Sequence, residues 1–266
     1  MTRTLTILLF VVLAFSGCSD NPEPAKEGKV IVLMYHRITD GPATNLYERS
    51  AADFEADLQY LRKNKILVIG FDDLEKMVLS GEPPSTDCAI ITFDDGDHSW
   101  YTLAMPLLKS YRMGATFFLW ALMIEDERDS FLSWEEVRLM SHYMDEEGSR
   151  PFVFGSHTLY HQYLTARKAA YNDPVAFALY LDEEFGGSKR LIEAHTPGDV
   201  NVLSLPFGDG AGDPDITAGA ELNGYRFIRT SEWGAMEIGS ANLLRIPSIP
   251  MLDDTPSDLI GDYLGQ

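Results

Sequence analysis

Short apolar runs alternate with amphipathic stretches along the chain from Lys29 onward. Seven runs rich in Val, Ile, Leu and Phe are predicted strands, at residues 30–35, 66–69, 89–93, 115–119, 152–154, 202–205 and 227–229. Stretches with helical spacing of apolar residues lie between most of them, at residues 52–63, 74–79, 101–109, 134–144, 173–194 and 218–223. The tail adds a short predicted strand within 243–249 and a closing helix within 257–264. Strands separated by helices of this length pair in parallel, so the pattern predicts an α/β fold.

The number of strand–helix units decides between an open sheet and a barrel. About seven units in one chain predict a sheet closed on itself, with catalytic groups at the carboxyl ends of the strands. No internal repeat and no linker interrupts residues 29–266, and this length suffices for one large domain. We therefore predict a single barrel domain over that range.

The N-terminal segment has the charge and length of a secretory signal. Arg3 precedes an apolar run at residues 5–14, which is too short for a comfortable membrane span. Small residues directly before Cys18 resemble a bacterial lipobox, in which the cysteine becomes the lipidated first residue. This predicts a lipoprotein signal peptide at 1–17, a polar tether at 18–28, and a periplasm-facing envelope protein, with the outer membrane favoured. An ordinary signal peptide with an incidental cysteine is the alternative.

Composition narrows the classes of function. A hydrophobic fraction of 45% excludes a disordered chain. The net charge of −20, with no basic patch, argues against nucleic-acid binding. The chain has two cysteines; since Cys18 is predicted to be modified and Cys88 opens an apolar run, we expect no disulfide.

Two carboxylates follow the predicted strand that ends at Phe93. Gly96 lets the chain turn sharply after Asp94 and Asp95, so the two side chains can point in different directions. One can then bind a cation while the other takes a proton. An Asp-Asp-Gly sequence is also common as a solvated turn, so this element alone leaves both interpretations open.

Two histidines follow the predicted strand at 152–154. His157 and His161 are four residues apart, so on a helical turn both imidazoles face one way. Two neutral imidazoles and one carboxylate form a metal site that leaves open positions for water and substrate. Surface or capping histidines are the alternative, but two such elements rarely coincide by chance at the strand ends of one barrel.

These elements resemble the motifs of the NodB-homology polysaccharide deacetylases, carbohydrate esterase family 4. Thr92–Gly96 is similar to the first motif of that family, Ser156–His161 to the second and Leu205–Asp209 to the third. The resemblance covers residues 30–250, almost the whole predicted domain. It implies a distorted (β/α)7 barrel, related to the TIM barrel, and a metal-dependent hydrolase that deacetylates a carbohydrate.

The resemblance also implies a role for the matching polar residues. Asp94 is the expected general base. Asp95, His157 and His161 are the expected ligands of a divalent metal, which would lower the pKa of its bound water and polarise the acetamide carbonyl. We expect zinc, with cobalt, nickel and iron as alternatives, because this donor set suits all four metals.

The sequence departs from the family pattern near its third and last motifs. Phe207, after Pro206, replaces the usual Tyr but keeps the backbone N–H that is expected to stabilise the oxyanion, and Ser204 replaces the usual Arg. The late histidine motif is absent from the sequence. Val32–Ile38 resembles instead the start of the poly-N-acetylglucosamine deacetylase branch, in which the domain looks circularly permuted. His36 is therefore the expected general acid; a histidine that only caps the barrel rim is the alternative.

Two further residues are candidates for substrate contact or for orienting the base. Trp233 follows a strand end and could stack on a sugar face, although core or lid packing is an equal alternative. Arg245 resembles a family position before Ile-Pro and is expected to orient a carboxylate such as Asp94.

The expected function is N-deacetylation of a β-linked N-acetylglucosamine polymer. Peptidoglycan, chitin oligomers and acetylated xylan are alternative substrates for the same chemistry. A glycan-binding or export lipoprotein without catalysis is an alternative of another class. The expected partners are an acetylated polysaccharide, the membrane through a lipid on Cys18, and a polysaccharide export complex.

Overall fold

A computed structural model describes residues 27–266, which form a curled β-sheet with helices packed outside it. The strands are β1 (Val30–Tyr35), β2 (Arg37–Thr39), β3 (Glu48–Ser50), β4 (Leu67–Val68), β5 (Cys88–Asp95), β6 (Ala115–Leu119), β7 (Phe152–Ser156), β8 (Val202–Ser204), β9 (Phe227–Arg229), β10 (Ala235–Met236) and β11 (Ile249–Pro250). The helices are α1 (Ala51–Lys63), α2 (Phe71–Ser80), α3 (Met105–Tyr111), α4 (Ala121–Glu125), α5 (Trp134–Ser141), α6 (Leu164–Ala170), α7 (Pro174–Leu181), α8 (Ser188–Glu193), α9 (Pro214–Leu222) and α10 (Leu259–Leu264).

The main sheet curls into a nearly closed ring. Strands β1, β5, β6, β7, β8 and β9 lie side by side in that order and pair in parallel. Beyond β9 the chain returns to the ring, because Arg229 bridges to Ile246 in parallel and β11 pairs with β1. This returning segment takes the seventh position. The predicted α/β fold and distorted (β/α)7 barrel are confirmed.

The second predicted strand, at residues 66–69, is not part of the ring. Its observed remnant, β4, borders only the first two residues of β5. Leu67 is 55% exposed, whereas a ring strand of an α/β fold is covered on both faces. The ring therefore reaches seven members through the C-terminal tail, where the strand predicted within 243–249 is reduced to the Ile246 bridge and β11.

Alternate residues of the ring strands point inward and outward. An apolar cluster fills the interior, with contributions from five ring strands: Val30, Val32, Cys88, Ile90, Phe118, Val202 and Phe227. Every second residue further along these strands also points inward. At the carboxyl ends of β5, β8 and β9 these inward residues are Asp94, Ser204 and Arg229. All three are buried, with 0–2% of their surface exposed. The interior of the ring is therefore polar at the carboxyl ends of the strands.

The helix predicted over residues 173–194 is interrupted. It is observed as α7 and α8 joined by a π-helical turn at Asp182–Gly187. Such turns insert one extra residue per turn and occur frequently at functional sites. Here the turn carries Glu184, whose side chain is completely buried.

The domain begins at the end of the ring where the parallel strands have their amino termini. The Gly28 N–H donates to the carbonyl of Pro84 at 2.8 Å. A Cβ atom at Gly28 would lie 2.3 Å from the carbonyl oxygen of Thr86, so the close approach of the two backbones requires glycine. The start of the domain is therefore held at the amino-terminal end of the ring, opposite the carboxyl ends of the strands.

The predictions on the signal peptide, on Cys18 and on nearly all of the tether concern residues outside the described range. Within residues 27–266, no helix combines the length and the apolar character that a membrane crossing needs.

Candidate metal centre and active site

The carboxyl ends of three ring strands bring the predicted polar residues together. Strand β5 ends with Asp94 and Asp95, His157 follows β7 directly, and His36 follows β1 directly. Together with His161 they line one cavity of about 480 Å³. Parallel strands end at the same edge of a barrel, and this edge is where the sequence predicted the site.

Asp95, His157 and His161 form a compact group of potential metal ligands. One donor atom of each lies within 4.8 Å of the other two. The Nε2 atoms of the histidines are 3.1 Å apart, and Asp95 Oδ1 lies 3.5 Å and 3.4 Å from them. Two imidazole nitrogens and one carboxylate oxygen suit a divalent transition metal. The predicted ligand set is thus brought together.

The backbone between the two histidines differs from the prediction. A helical turn was expected, but the segment is an irregular loop with a positive φ of 64° at Thr158 and 54° at His161. A β-branched residue such as Thr seldom adopts this conformation. The imidazoles converge because the loop curls back on itself, and the four-residue spacing therefore gave the right grouping for the wrong structural reason.

The environment of His157 prepares it as a ligand. Its Nδ1 lies 2.9 Å from the carbonyl oxygen of Ser204, and because a carbonyl only accepts, Nδ1 must carry the proton. The lone pair is then left on Nε2, which points at the other ligands. Burial, together with the neighbouring His161, lowers the pKa of His157 to about 4, so the ring is neutral at neutral pH, as metal binding requires.

Trp120 supports two of the three ligands, and sequence reasoning did not identify it. Its ring stacks on His161 with centroids 4.7 Å apart and planes 21° apart. Its backbone N–H donates to the carbonyl of Asp95 at 3.2 Å. Because Trp120 directly follows β6, the strand that pairs with β5, the sheet places it beside Asp95.

Glu184 supports the loop that carries both histidines. Its carboxylate accepts the Tyr160 N–H at 3.2 Å, and its carbonyl accepts the Leu159 N–H at 3.0 Å. Burial raises the pKa of Glu184, and hydrogen bonds from Thr158 and Tyr160 only partly oppose this effect. The π-helical turn therefore places a buried carboxyl group under the strained loop.

Asp94 lies inside the ring beside a buried arginine. Arg229 donates a hydrogen bond to Asp94 Oδ2, and the Ser204 hydroxyl approaches the same oxygen at 3.3 Å. The other oxygen, Oδ1, is buried and has no hydrogen-bond partner among the described residues. Burial alone would raise the pKa of Asp94, but the charges of Arg229, His157 and His36 lower it below its ordinary value.

The expectation that Arg245 orients Asp94 is corrected by this geometry. Arg245 forms two hydrogen bonds to the exposed carboxylate of Glu232, at 2.8 Å and 2.5 Å. Arg229 contacts Asp94 instead, from the strand next to Ser204, where the family usually has its arginine. The available signal was period-two alternation, because Phe227 and Arg229 must point to the same face of β9.

His36 contributes to the wall of the cavity. Its ring packs near that of Tyr47, with centroids 5.1 Å apart. His36, Tyr47, Asp94 and Asp95 also line a second, adjoining cavity of about 150 Å³. His36 thus borders both cavities beside the two carboxylates, and its role as general acid stays a prediction.

Phe207 lies at the rim of the cavity, whereas Pro206 is buried next to it and Trp233 lies elsewhere. Phe207 has a positive φ of 59° and is 53% exposed. Its ring lies edge-on to His161, with centroids 4.8 Å apart. Trp233 is 58% exposed, with its ring 6.4 Å from that of Tyr263 between centroids, and it is not among the residues that line the cavity. Both of its predicted roles stay predictions.

Comparisons of the sequence with known proteins agree with this site. The family model described as polysaccharide deacetylase matches residues 81–228. The protein YxkH of Bacillus subtilis, classed with the polysaccharide deacetylases, is 27% identical over 210 residues, which are 79% of this chain and 67% of YxkH. The poly-β-1,6-N-acetyl-D-glucosamine N-deacetylase of Escherichia coli is 23% identical over 154 residues. That match spans 51% of this chain and about a fifth (21%) of the relative.

Solved structures share the fold. The deacetylase PplD of Streptococcus pyogenes, in complex with acetate, has a TM-score of 0.75 at 19% identity, covering 90% of this chain and 99% of PplD. IcaB from Ammonifex degensii has a TM-score of 0.71 at 22% identity, covering 91% and 98%. These TM-scores show a shared fold. The match to the family model covers more than half of the chain. The chain therefore belongs to the polysaccharide deacetylase family, the NodB-homology group of hydrolases that act on amide bonds.

Proposed function

We propose that this deacetylase removes N-acetyl groups from a β-linked N-acetylglucosamine polymer in a metal-dependent reaction. The observation that carries the proposal is the shared cavity, in which Asp94 lies beside the Asp95, His157 and His161 group and His36 lines the wall. A glycan-binding protein has no need of a buried carboxylate next to three potential metal ligands. The metal-binding and catalytic roles below are part of the proposal.

The residues of the chain divide the reaction between them. Asp95, His157 and His161 would hold a divalent cation, which supplies Lewis acidity and lowers the pKa of water. Asp94 accepts the proton of the attacking water, because it lines the same cavity as the three potential ligands and its Oδ1 has no hydrogen-bond partner within residues 27–266. His36 donates a proton to the leaving amine, and the Phe207 N–H stabilises the developing oxyanion.

The polymer and the cellular location are proposed from separate observations. The named substrate of the E. coli relative is poly-β-1,6-N-acetyl-D-glucosamine, which supports a β-linked N-acetylglucosamine polymer here. The lipobox-like sequence before Cys18 supports a lipid-anchored protein that faces the periplasm. An export complex for the same polymer is the proposed partner, since deacetylation and export would act on one chain.

The test is acetate release by the purified full-length chain in detergent, with metal content measured in the same sample. The substrates are β-1,6-linked N-acetylglucosamine oligomers, chitin oligomers, peptidoglycan and acetylated xylan. We expect metal-dependent acetate release, fastest on the β-1,6-linked oligomers. Release by Asp94→Asn at the unaltered rate would refute the assigned base, and an undiminished rate in His36→Ala would refute only the assigned acid.

A further inference from the structure

Two aromatic rings stack on each other at the rim of the cavity and leave about half of their surface open. The rings of Tyr163 and Phe207 are 4.0 Å apart between centroids, and their planes differ by 9°. The two residues are 54% and 53% exposed. Both line the cavity that contains Asp94 and His161. An open apolar surface of this kind at a cavity mouth is typical of a binding site.

The two rings are held in place by a hydrogen-bonded clamp. Asp209, which ends the turn after Phe207, accepts hydrogen bonds from the backbone N–H and the hydroxyl of Thr165, both at 2.7 Å. Thr165 lies two residues after Tyr163, in the first turn of α6. The clamp therefore joins the turn that carries Phe207 to the loop that carries Tyr163. The stacked pair is built before any ligand arrives, so a ligand need not spend binding energy to order it.

The position of the pair relative to the reacting group indicates what binds there. Phe207 packs edge-on against His161, one of the potential metal ligands. The stacked rings thus lie one residue away from the place where an acetamide would react. A pyranose ring presents an apolar C–H face, whereas its hydroxyl groups point sideways into water. Aromatic rings with one face open suit such an amphipathic ligand.

A smaller cavity adjoins the first one and shares His36, Tyr47, Asp94 and Asp95 with it. Arg37, Asn45 and Asp97 contribute polar side chains to this second cavity, beside the rings of Tyr47 and Phe131. A polymer therefore finds the stacked rings in one cavity and further polar and aromatic groups in the adjoining one. This arrangement suits a reacting sugar that has neighbours within a chain.

We propose that Tyr163 and Phe207 form a stacking subsite for the pyranose ring next to the sugar that is deacetylated. This inference rests on the proposed function, because it assumes that the acetylated group reacts at Asp94. It adds that recognition extends beyond one sugar and that Tyr163 determines affinity for oligomers.

The experiment compares the full-length chain with Tyr163→Ala and Tyr163→Phe, using a β-1,6-linked N-acetylglucosamine pentamer as the probe. Calorimetry gives the Kd when each variant also carries Asp94→Asn, which removes the proposed base and so prevents turnover. Acetate release by the variants that keep Asp94 gives kcat and KM. Loss of an aromatic contact should raise the Kd and the KM about threefold to tenfold in Tyr163→Ala, with a smaller change in kcat. Tyr163→Phe keeps the ring and should stay within about twofold of the unaltered chain.

The outcomes separate this subsite from the proposed function. An unchanged Kd in Tyr163→Ala would overturn the subsite while leaving deacetylation intact. Failure of the unaltered chain to bind the pentamer would overturn both the subsite and the proposed polymer. If the unaltered chain binds the pentamer but releases no acetate, the proposed function fails and the position of the subsite next to a reacting sugar fails with it, whereas the Kd ratio still decides whether Tyr163 stacks on a sugar. Equal loss of affinity in Tyr163→Ala and Tyr163→Phe would refute stacking, because the phenylalanine ring offers the same face.

Discussion

Replacing Arg229 by methionine tests the account of Asp94 as the base. The side chains of Arg229 and Asp94 are 0% and 3% exposed, and a direct hydrogen bond joins them. Methionine has a similar length and no charge, so it removes the cation and leaves a carboxylate buried without its partner. Breaking a buried ion pair from one side costs about 3–5 kcal/mol of folding stability.

The same change should alter the pH dependence of catalysis. In the unaltered protein the pKa of Asp94 is held below its ordinary value against the opposing effect of burial, so the base is ionised at neutral pH and loses activity only as the pH falls through that pKa. Without the Arg229 charge, burial dominates and the pKa of Asp94 rises. The acidic limb of the kcat/KM profile should then move to higher pH. At pH 7 the rate should fall by up to about 10²-fold, the lower range of what a general base supplies.

Acetate release from about pH 3 to 9 measures this effect, because the lowered pKa of Asp94 places the acidic limb of the unaltered chain below the ordinary range of an aspartate. Arg229→Lys is the matched control because it keeps a positive charge. Thermal unfolding by circular dichroism checks that each variant is folded at the assay temperature. We expect the acidic limb of Arg229→Lys to lie between those of the other two proteins. If folded Arg229→Met kept the limb and the rate of the unaltered chain, Arg229 would have no part in controlling the base.

Three other predictions concern the supports of the site and the core. Glu184→Gln, which keeps the size of the buried side chain, should weaken metal affinity about 10–100-fold. Chelator competition measures the Kd of the metal, and an unchanged value would show that Glu184 does not support the loop that carries the two histidines. Arg49, which is 2% exposed, donates hydrogen bonds to the Asp57 carboxylate at 3.0 Å and 2.7 Å. Asp57→Ala leaves this buried cation without its carboxylate and should destabilise the protein by about 3–5 kcal/mol; urea unfolding measures this, and a loss below about 1 kcal/mol would show that the pair is unimportant. Burial raises the pKa of Cys88 to about 11, so at pH 8 iodoacetamide should label the peptide containing Cys88 only after unfolding; rapid labelling of the folded protein, read by mass spectrometry, would show that this strand opens.

The sequence predicted the residues at strand ends better than the residues that support them. Asp94, Asp95 and His157 could be placed because each follows an apolar run, and the ends of parallel strands share one edge of the barrel. Glu184 could not be placed, because its burial depends on a π-helical turn within what looks like one continuous amphipathic helix. Trp120 was hidden for a similar reason, since its contact with His161 depends on the order of neighbouring strands.

Arg229 shows a limit of a different kind. Its inward direction follows from the alternation within β9, but its partner does not, because Asp94 and Arg229 are 135 residues apart in the chain. They approach each other across the interior because the sheet curls, and the tail links its two ends where Ile246 bridges to Arg229 and β11 pairs with β1. A short run such as residues 66–69 has the same composition as a ring strand, so only its exposure reveals that it stands outside.

The buried start of the domain at Gly28 lies at the opposite pole of the molecule from the candidate site. The Gly28 N–H donates a hydrogen bond to the Pro84 carbonyl at the amino-terminal side of the ring, whereas His36 and the potential metal ligands lie beyond the other end of β1. The six residues of β1, at about 3.3 Å each, separate the two poles by about 20 Å. If Cys18 carries the proposed lipid, the anchored segment would join the domain at the pole opposite the cavity. The anchor would then leave the cavity open to polymer in the aqueous space.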